Sequence, residues 1–99
     1  MNYELIIRNR AQTDIAEIML WYEDNERGLG KYFLLCLDAS LESMIRFPTA
    51  PRVVWKEYRR VFVRKFPVGI YYIVRGNRIY VDAVESFHRN PERLTKRFG

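Results

Sequence analysis

An α+β domain, with a helical hairpin packed on one face of an antiparallel-rich sheet, is the fold class the sequence predicts. Three observations predict it. Strand-like apolar runs follow one another between Tyr58 and Val84, two long stretches before them repeat apolar residues at helical spacing, and Leu5-Ile6-Ile7 precedes both. A strand, two helices and a meander bury their apolar sides together when the helices lie side by side over one face of the sheet.

Asn2 to Arg8 reads as a buried strand, because Leu5, Ile6 and Ile7 are consecutive. Asn9-Arg10-Ala11-Gln12 has the form of a capping box, with Asn9 placed to accept from a first-turn amide and Gln12 to reach back. Ala11, Ile15, Ile18 and Tyr22 then fall on one helical stripe with Met19 beside it, while Asp14, Glu17, Glu23 and Glu26 lie largely elsewhere. Gly28 ends this helix, and Gly28-Leu29-Gly30 forms the corner that turns a second helix back against the first. The second helix runs from Leu29 to Arg46, with Phe33, Leu37, Leu41 and Ile45 every fourth residue and Leu34 and Met44 widening the stripe. Phe47-Pro48 stops it. Pro48 to Trp55, with two prolines, reads as an extended connector that ends near Lys56-Glu57.

The sheet is anchored by Gly76-Asn77, a dipeptide suited to a two-residue hairpin loop because both positions tolerate positive φ. Pairing outward sets Val74 opposite Ile79, Tyr72 opposite Val81 and Ile70 opposite Ala83 on an apolar face. The other face carries Arg75 opposite Arg78, Ile73 opposite Tyr80 and Tyr71 opposite Asp82. A first turn centred on Pro67-Val68 adds Val61 and Val63 to the apolar face and Arg60, Phe62 and Arg64 to the other. Two arginines directly opposed repel, so a face with Arg60, Arg64, Arg75 and Arg78 calls for water or an anionic partner. After Val84 the chain leaves the sheet, and Asn90 caps a short basic helix over Pro91 to Phe98. The expected order is βααβββα, in one domain over residues 1–99.

Composition narrows the function. At 48% hydrophobic and 15% aromatic the chain can bury a real core. Met1 to Pro51 holds five Lys/Arg against eight Asp/Glu, a net −3, and the remainder holds twelve against four, a net +8. Such asymmetry fits either an acidic or nucleic-acid partner or a solvated basic surface. The N-terminus lacks the features of a signal peptide, and no apolar run spans a membrane, so a cytoplasmic protein without membrane association is expected. The single Cys36 excludes an internal disulfide and reads as a small core residue. The one histidine, His88, has no cysteine or imidazole partner, so no metal and no cofactor are expected.

The arginine face offers a binding surface made of Arg60, Phe62, Arg64, Tyr71, Arg75, Arg78 and Tyr80, facing a protein or a nucleic acid.

Over nearly its whole length the chain resembles the RelE/ParE superfamily of bacterial type II toxin-antitoxin toxins, which includes plasmid stabilisation proteins. The resemblance rests on Ala11 to Ile18, Gly28 to Phe33, Arg60 to Pro67, Ile70-Tyr71-Tyr72 and Arg89-Asn90-Pro91, in that order and spacing. It implies a RelE/ParE-like fold and a toxin that inhibits growth when free and is neutralised by a cognate antitoxin. RelE-like members are ribosome-dependent mRNA endoribonucleases, whereas ParE-like members poison DNA gyrase. Cleaving RNA without a metal takes a base for the 2′-OH, cations for the phosphate and an acid for the leaving oxygen. For a nuclease of this kind Arg64, His88 and Arg89 are the catalytic candidates, with Arg60 as a further phosphate ligand and Glu57 or Glu85 as alternative bases. The competing structural reading makes His88 a cap or packing residue and Arg89 the partner of a carboxylate. The chain is similar to the nucleases at Arg60 and near Arg89. It departs from them at Phe62, where they carry a lysine, at Gly69, where they carry an arginine, and near Leu94, where their late tyrosine has no counterpart. Ser86 stands where many members have a histidine. These departures favour the ParE-like reading, with the RelE-like nuclease as the alternative and a non-toxic binding module of the same fold as the second. An acidic antitoxin segment ordering against the arginine face or the helical hairpin follows from either toxin reading.

Overall fold

The computed structural model describes residues 2–87. Its elements are β1 (Glu4–Ile7), α1 (Asn9–Asn25), α2 (Leu29–Arg46), β2 (Val53–Trp55), β3 (Tyr58–Phe62), β4 (Val68–Arg75) and β5 (Arg78–Ser86). They build a five-stranded sheet in the order β1-β5-β4-β3-β2, in which β1 runs parallel to β5 and every other pair is antiparallel. The helix expected over Pro91 to Phe98 lies outside the described residues.

Both helices form where periodicity places them, with small differences at the caps. Arg8, in extended conformation, holds the N-cap position of α1 without a side-chain bond. The expected capping box is therefore absent: Asn9 is already helical, and Gln12 donates from Nε2 to the Ile7 carbonyl at 2.7 Å. At the corner, Gly28 has φ +89°, a left-handed conformation that favours glycine. Glu23 on α1 caps α2 across this corner, its carboxylate accepting from the Gly28 amide at 3.0 and 3.1 Å and from the Gly30 amide at 3.0 Å. A negative charge there satisfies free amides and opposes the positive end of the α2 dipole.

The helices cover one face of the sheet. Ala11, Ile18 and Tyr22 of α1 and Phe33, Leu37, Leu41 and Met44 of α2 meet Val68, Ile70, Tyr72, Ile79, Val81 and Val84 in one apolar cluster. Phe66, in the β3–β4 turn, inserts its ring 4.8 Å from Tyr22 and 5.3 Å from Phe33, both edge-on. Such pairs add about 0.5–1.5 kcal/mol beyond area burial. The buried Tyr72 hydroxyl donates to the Pro48 carbonyl at 2.8 Å and fastens the connector under the sheet.

Three expectations about the strands are corrected. Val53–Trp55 is a strand, paired with β3 through a tight turn in which Lys56 takes φ +52°. No glycine or asparagine marks that turn, so the run reads as connector. The β3–β4 turn occupies Arg64 to Pro67, with the Val63 amide donating to the Val68 carbonyl at 2.8 Å. This moves each cross-strand partner by an even number of residues, so Val61 still faces the helices with Ile70, and Arg60 still faces away with Tyr71. The longer turn is what lets Phe66 enter the core. The third correction is in β5, whose register shifts opposite Tyr71 and Tyr72: Ile70 pairs with Val84 and Tyr71 with Ala83, one residue beyond the expected partners, leaving Asp82 as a bulge. The bulge turns Val84, only 4% exposed, into the core that strict alternation would have filled with Ala83.

A Cβ added at Gly30 would lie 2.7 Å from the Met19 carbonyl oxygen. Gly30→Ala should therefore destabilise the fold by about 1–3 kcal/mol through forced separation of α1 from α2, measured as a lower urea midpoint with unchanged slope.

Candidate functional site

The sheet face turned away from the helices carries the predicted arginines and aromatics, and the structure gives most of them partners. Arg75 bonds Glu57 at 2.8 Å, and Arg78 bonds Glu4 at 3.1 Å. Their apposition across the Gly76-Asn77 hairpin is thus relieved by one carboxylate each. Arg8, at the end of β1, reaches Asp82 at 3.1 Å and lies over the Tyr80 ring at 4.4 Å from its centroid. The Tyr58 hydroxyl donates to the other Asp82 oxygen at 2.5 Å, and Trp55 stacks on Tyr58 with centroids 5.9 Å apart. Tyr71 donates to Glu85 at 3.4 Å. Arg60 is placed between rings, 4.9 Å from Phe62 and 5.9 Å from Tyr71.

Four arginines (Arg8, Arg60, Arg75 and Arg78) therefore share this face and its rim with Glu4, Glu57, Asp82 and Glu85. Among the described residues an approaching phosphate meets carboxylates as well as guanidinium groups. The Arg75 and Arg78 pairs are more than half exposed and screened by solvent, so they set the local field more than the stability. The Asp82 side chain is only 16% exposed, and its two partners, Arg8 and Tyr58, come from the end of β1 and from β3.

Of the predicted site residues, Arg60, Phe62, Tyr71, Arg75, Arg78 and Tyr80 share the open face. Arg64 does not, which corrects its placement. It lies in the β3–β4 turn, its amide donates to Ser40 Oγ at 3.1 Å, and it lines a groove beside α2. His88 and Arg89 lie outside the described residues. Arg8, Glu4 and Asp82 were missed as site residues because their proximity depends on the parallel β1–β5 pairing, for which neighbouring residues carry no signal. Where β5 outlasts β1, a cleft of about 490 Å³ opens between Arg10 and Asp14 of α1 and the rings of Trp55, Tyr58 and Tyr71. Asp14 accepts from the Val84 amide at 3.0 Å and so covers the strand edge that β1 leaves bare. Among the described residues no group of three His, Cys, Asp or Glu is arranged to hold a metal, and no helix is long and apolar enough to cross a membrane.

Two helices packed on one side of a mixed five-stranded sheet match the fold of RelE/ParE-type toxins. The chain is similar to a protein of the chromosomal ParDE toxin-antitoxin system from P. aeruginosa, with a TM-score of 0.73 at 15% identity over 85% of this chain and 95% of that one. It is similar to a mutant of E. coli toxin RelE in the free state, with a TM-score of 0.64 at 16% identity over the whole of both chains. YafQ from E. coli matches with a TM-score of 0.56 at 12% identity, over 86% of this chain and 93% of its own. No match is found among curated proteins. The model of the ParE toxin of the type II toxin-antitoxin system parDE matches residues 5–91, and the chain belongs to that family.

The Asp82 hydrogen bond, with some burial, raises the Tyr58 pKa above the ordinary 10.0, and burial raises those of Tyr22 and Tyr72. A raised tyrosine pKa means the folded protein holds its proton longer than the unfolded chain, so this stability is complete below pH 10 and is lost as pH rises through the folded values. Alkaline titration followed by tyrosinate absorbance should show a late-ionising group, and Asp82→Asn should return one tyrosine towards the ordinary value.

Proposed function

We propose that this protein is a ParE-like toxin that arrests growth by acting on DNA gyrase in the cytoplasm, and that a cognate antitoxin neutralises it. Membership of the ParE family supports the toxin class. The observation that carries the mode of action is the charge balance of the open face. Phosphoryl chemistry without a metal needs cations held around the phosphate with a base and an acid in reach. Here Arg8, Arg75 and Arg78 are each turned to a carboxylate, Arg60 is held between aromatic rings, and Arg64 lies on the α2 side. Among the described residues, which do not include His88 and Arg89, what remains is a surface of rings and paired charges, suited to contact with another protein, where such charges govern specificity and encounter rate.

Expression without antitoxin should arrest growth, and the purified protein should inhibit gyrase supercoiling and stabilise gyrase-DNA cleavage complexes while ribosome-bound mRNA stays intact by primer extension. Cleaved mRNA with normal supercoiling would refute the gyrase assignment in favour of the nuclease. Normal growth would point to a binding module of the same fold.

A further inference from the structure

We propose that the groove between the C-terminal half of α2 and the outer edge of β3 is the seat of the antitoxin, taken up as an acidic segment with apolar anchors. The choice of partner rests on the toxin reading above; the choice of surface rests on the groove itself. The groove holds about 520 Å³ between Ala39, Ser43 and Phe47 on one side and Val61 and Phe62 on the other, with Arg64 lining it as well.

Three features point to such an occupant. The first is unfilled apolar surface. Phe47 is 66% exposed and Phe62 is 51% exposed, and both line the groove, so an occupant would remove two large rings from water at once. The second is charge. The segments that build this region, residues 39–52 and 61–66, carry Arg46, Arg52, Arg64 and Lys65 against Glu42 alone. All four cations are exposed, and none takes part in an ion pair among the described residues. The open sheet face is balanced by comparison, so an acidic chain is drawn to the groove rather than to that face. The third is the sheet edge. β2 pairs with β3 only at Tyr58 and Arg59, so on the side away from β4 the strand β3 has no described partner alongside Val61 and Phe62. An extended segment can continue the sheet there while its side chains enter the groove.

Phe62 joins the groove to the open face. Its ring lies beneath the Arg60 guanidinium and 6.0 Å from Phe87, so an occupant resting on Phe62 also restrains Arg60. Antitoxin binding would thereby reach the face assigned to the target without covering it.

The test uses the full chain and, as probe, the purified acidic protein encoded by the adjoining reading frame, with binding measured by calorimetry. Phe47→Asp and Ser43→Glu change exposed groove positions and should each weaken binding by about tenfold or more, the effect of losing one interface anchor. Leu20→Asp, on exposed α1 outside the groove, should bind as the wild type does, and all three should keep the wild-type circular dichroism. Wild-type affinity should fall with added salt. The groove assignment is overturned if both groove variants bind within about twofold of wild type, or if Leu20→Asp alone weakens binding. A wild-type chain that arrests growth but does not bind the probe overturns the partner, and one that does neither overturns the toxin reading as well.

Discussion

The Asp82 carboxylate organises the open face of this protein. It sits at the one register shift in β5 and receives the Arg8 guanidinium from β1 and the Tyr58 hydroxyl from β3, so a single side chain ties three strands together across the sheet. A carboxylate with so little exposure is tolerable only when it is paired, and here the Arg8 charge beside Oδ1 and the Tyr58 hydroxyl on Oδ2 come from segments far apart in sequence. The same bulge turns Val84 towards the helices and leaves Glu85 level with Gly69 on the other side. Core packing and surface charge are set by one extra residue.

That arrangement decides what the face can be. A row of arginines read along the strands suggests a platform for phosphate, yet each of Arg8, Arg75 and Arg78 has a carboxylate within 3.1 Å or less. Individually the exposed Arg75 and Arg78 pairs contribute little to stability. Together, among the described residues, they offset the positive field of those three arginines. Arg64, which has no ion pair among the described residues, lines the groove beside α2 together with the exposed rings of Phe47 and Phe62.

Much of the fold was legible in the sequence because it depends on short-range periodicity. The α2 boundaries, the Gly28-Leu29-Gly30 corner and the pairing around Gly76-Asn77 follow from residues within one or two turns of each other. β2 was not legible: three residues are too few to show alternation, and Lys56 makes its turn by adopting positive φ without a turn residue. The position of Arg64 was missed because the length of the β3–β4 turn answers to Phe66, which seeks a place between Tyr22 and Phe33. Of the candidate site, the aromatic and arginine residues of the open face were identified from the hairpin register, whereas the carboxylates that neutralise them were not.

By itself the sequence determined the class of the fold, the two helices, the hairpin register next to its turn and the family resemblance, since each is carried by residue types at fixed local spacing. The tertiary structure alone decided the bulge at Asp82, the parallel docking of β1 beside β5 and the pairing of the arginines. The physical reason is that these depend on which surfaces must be buried together, and hydrophobic burial is blind to separation along the chain.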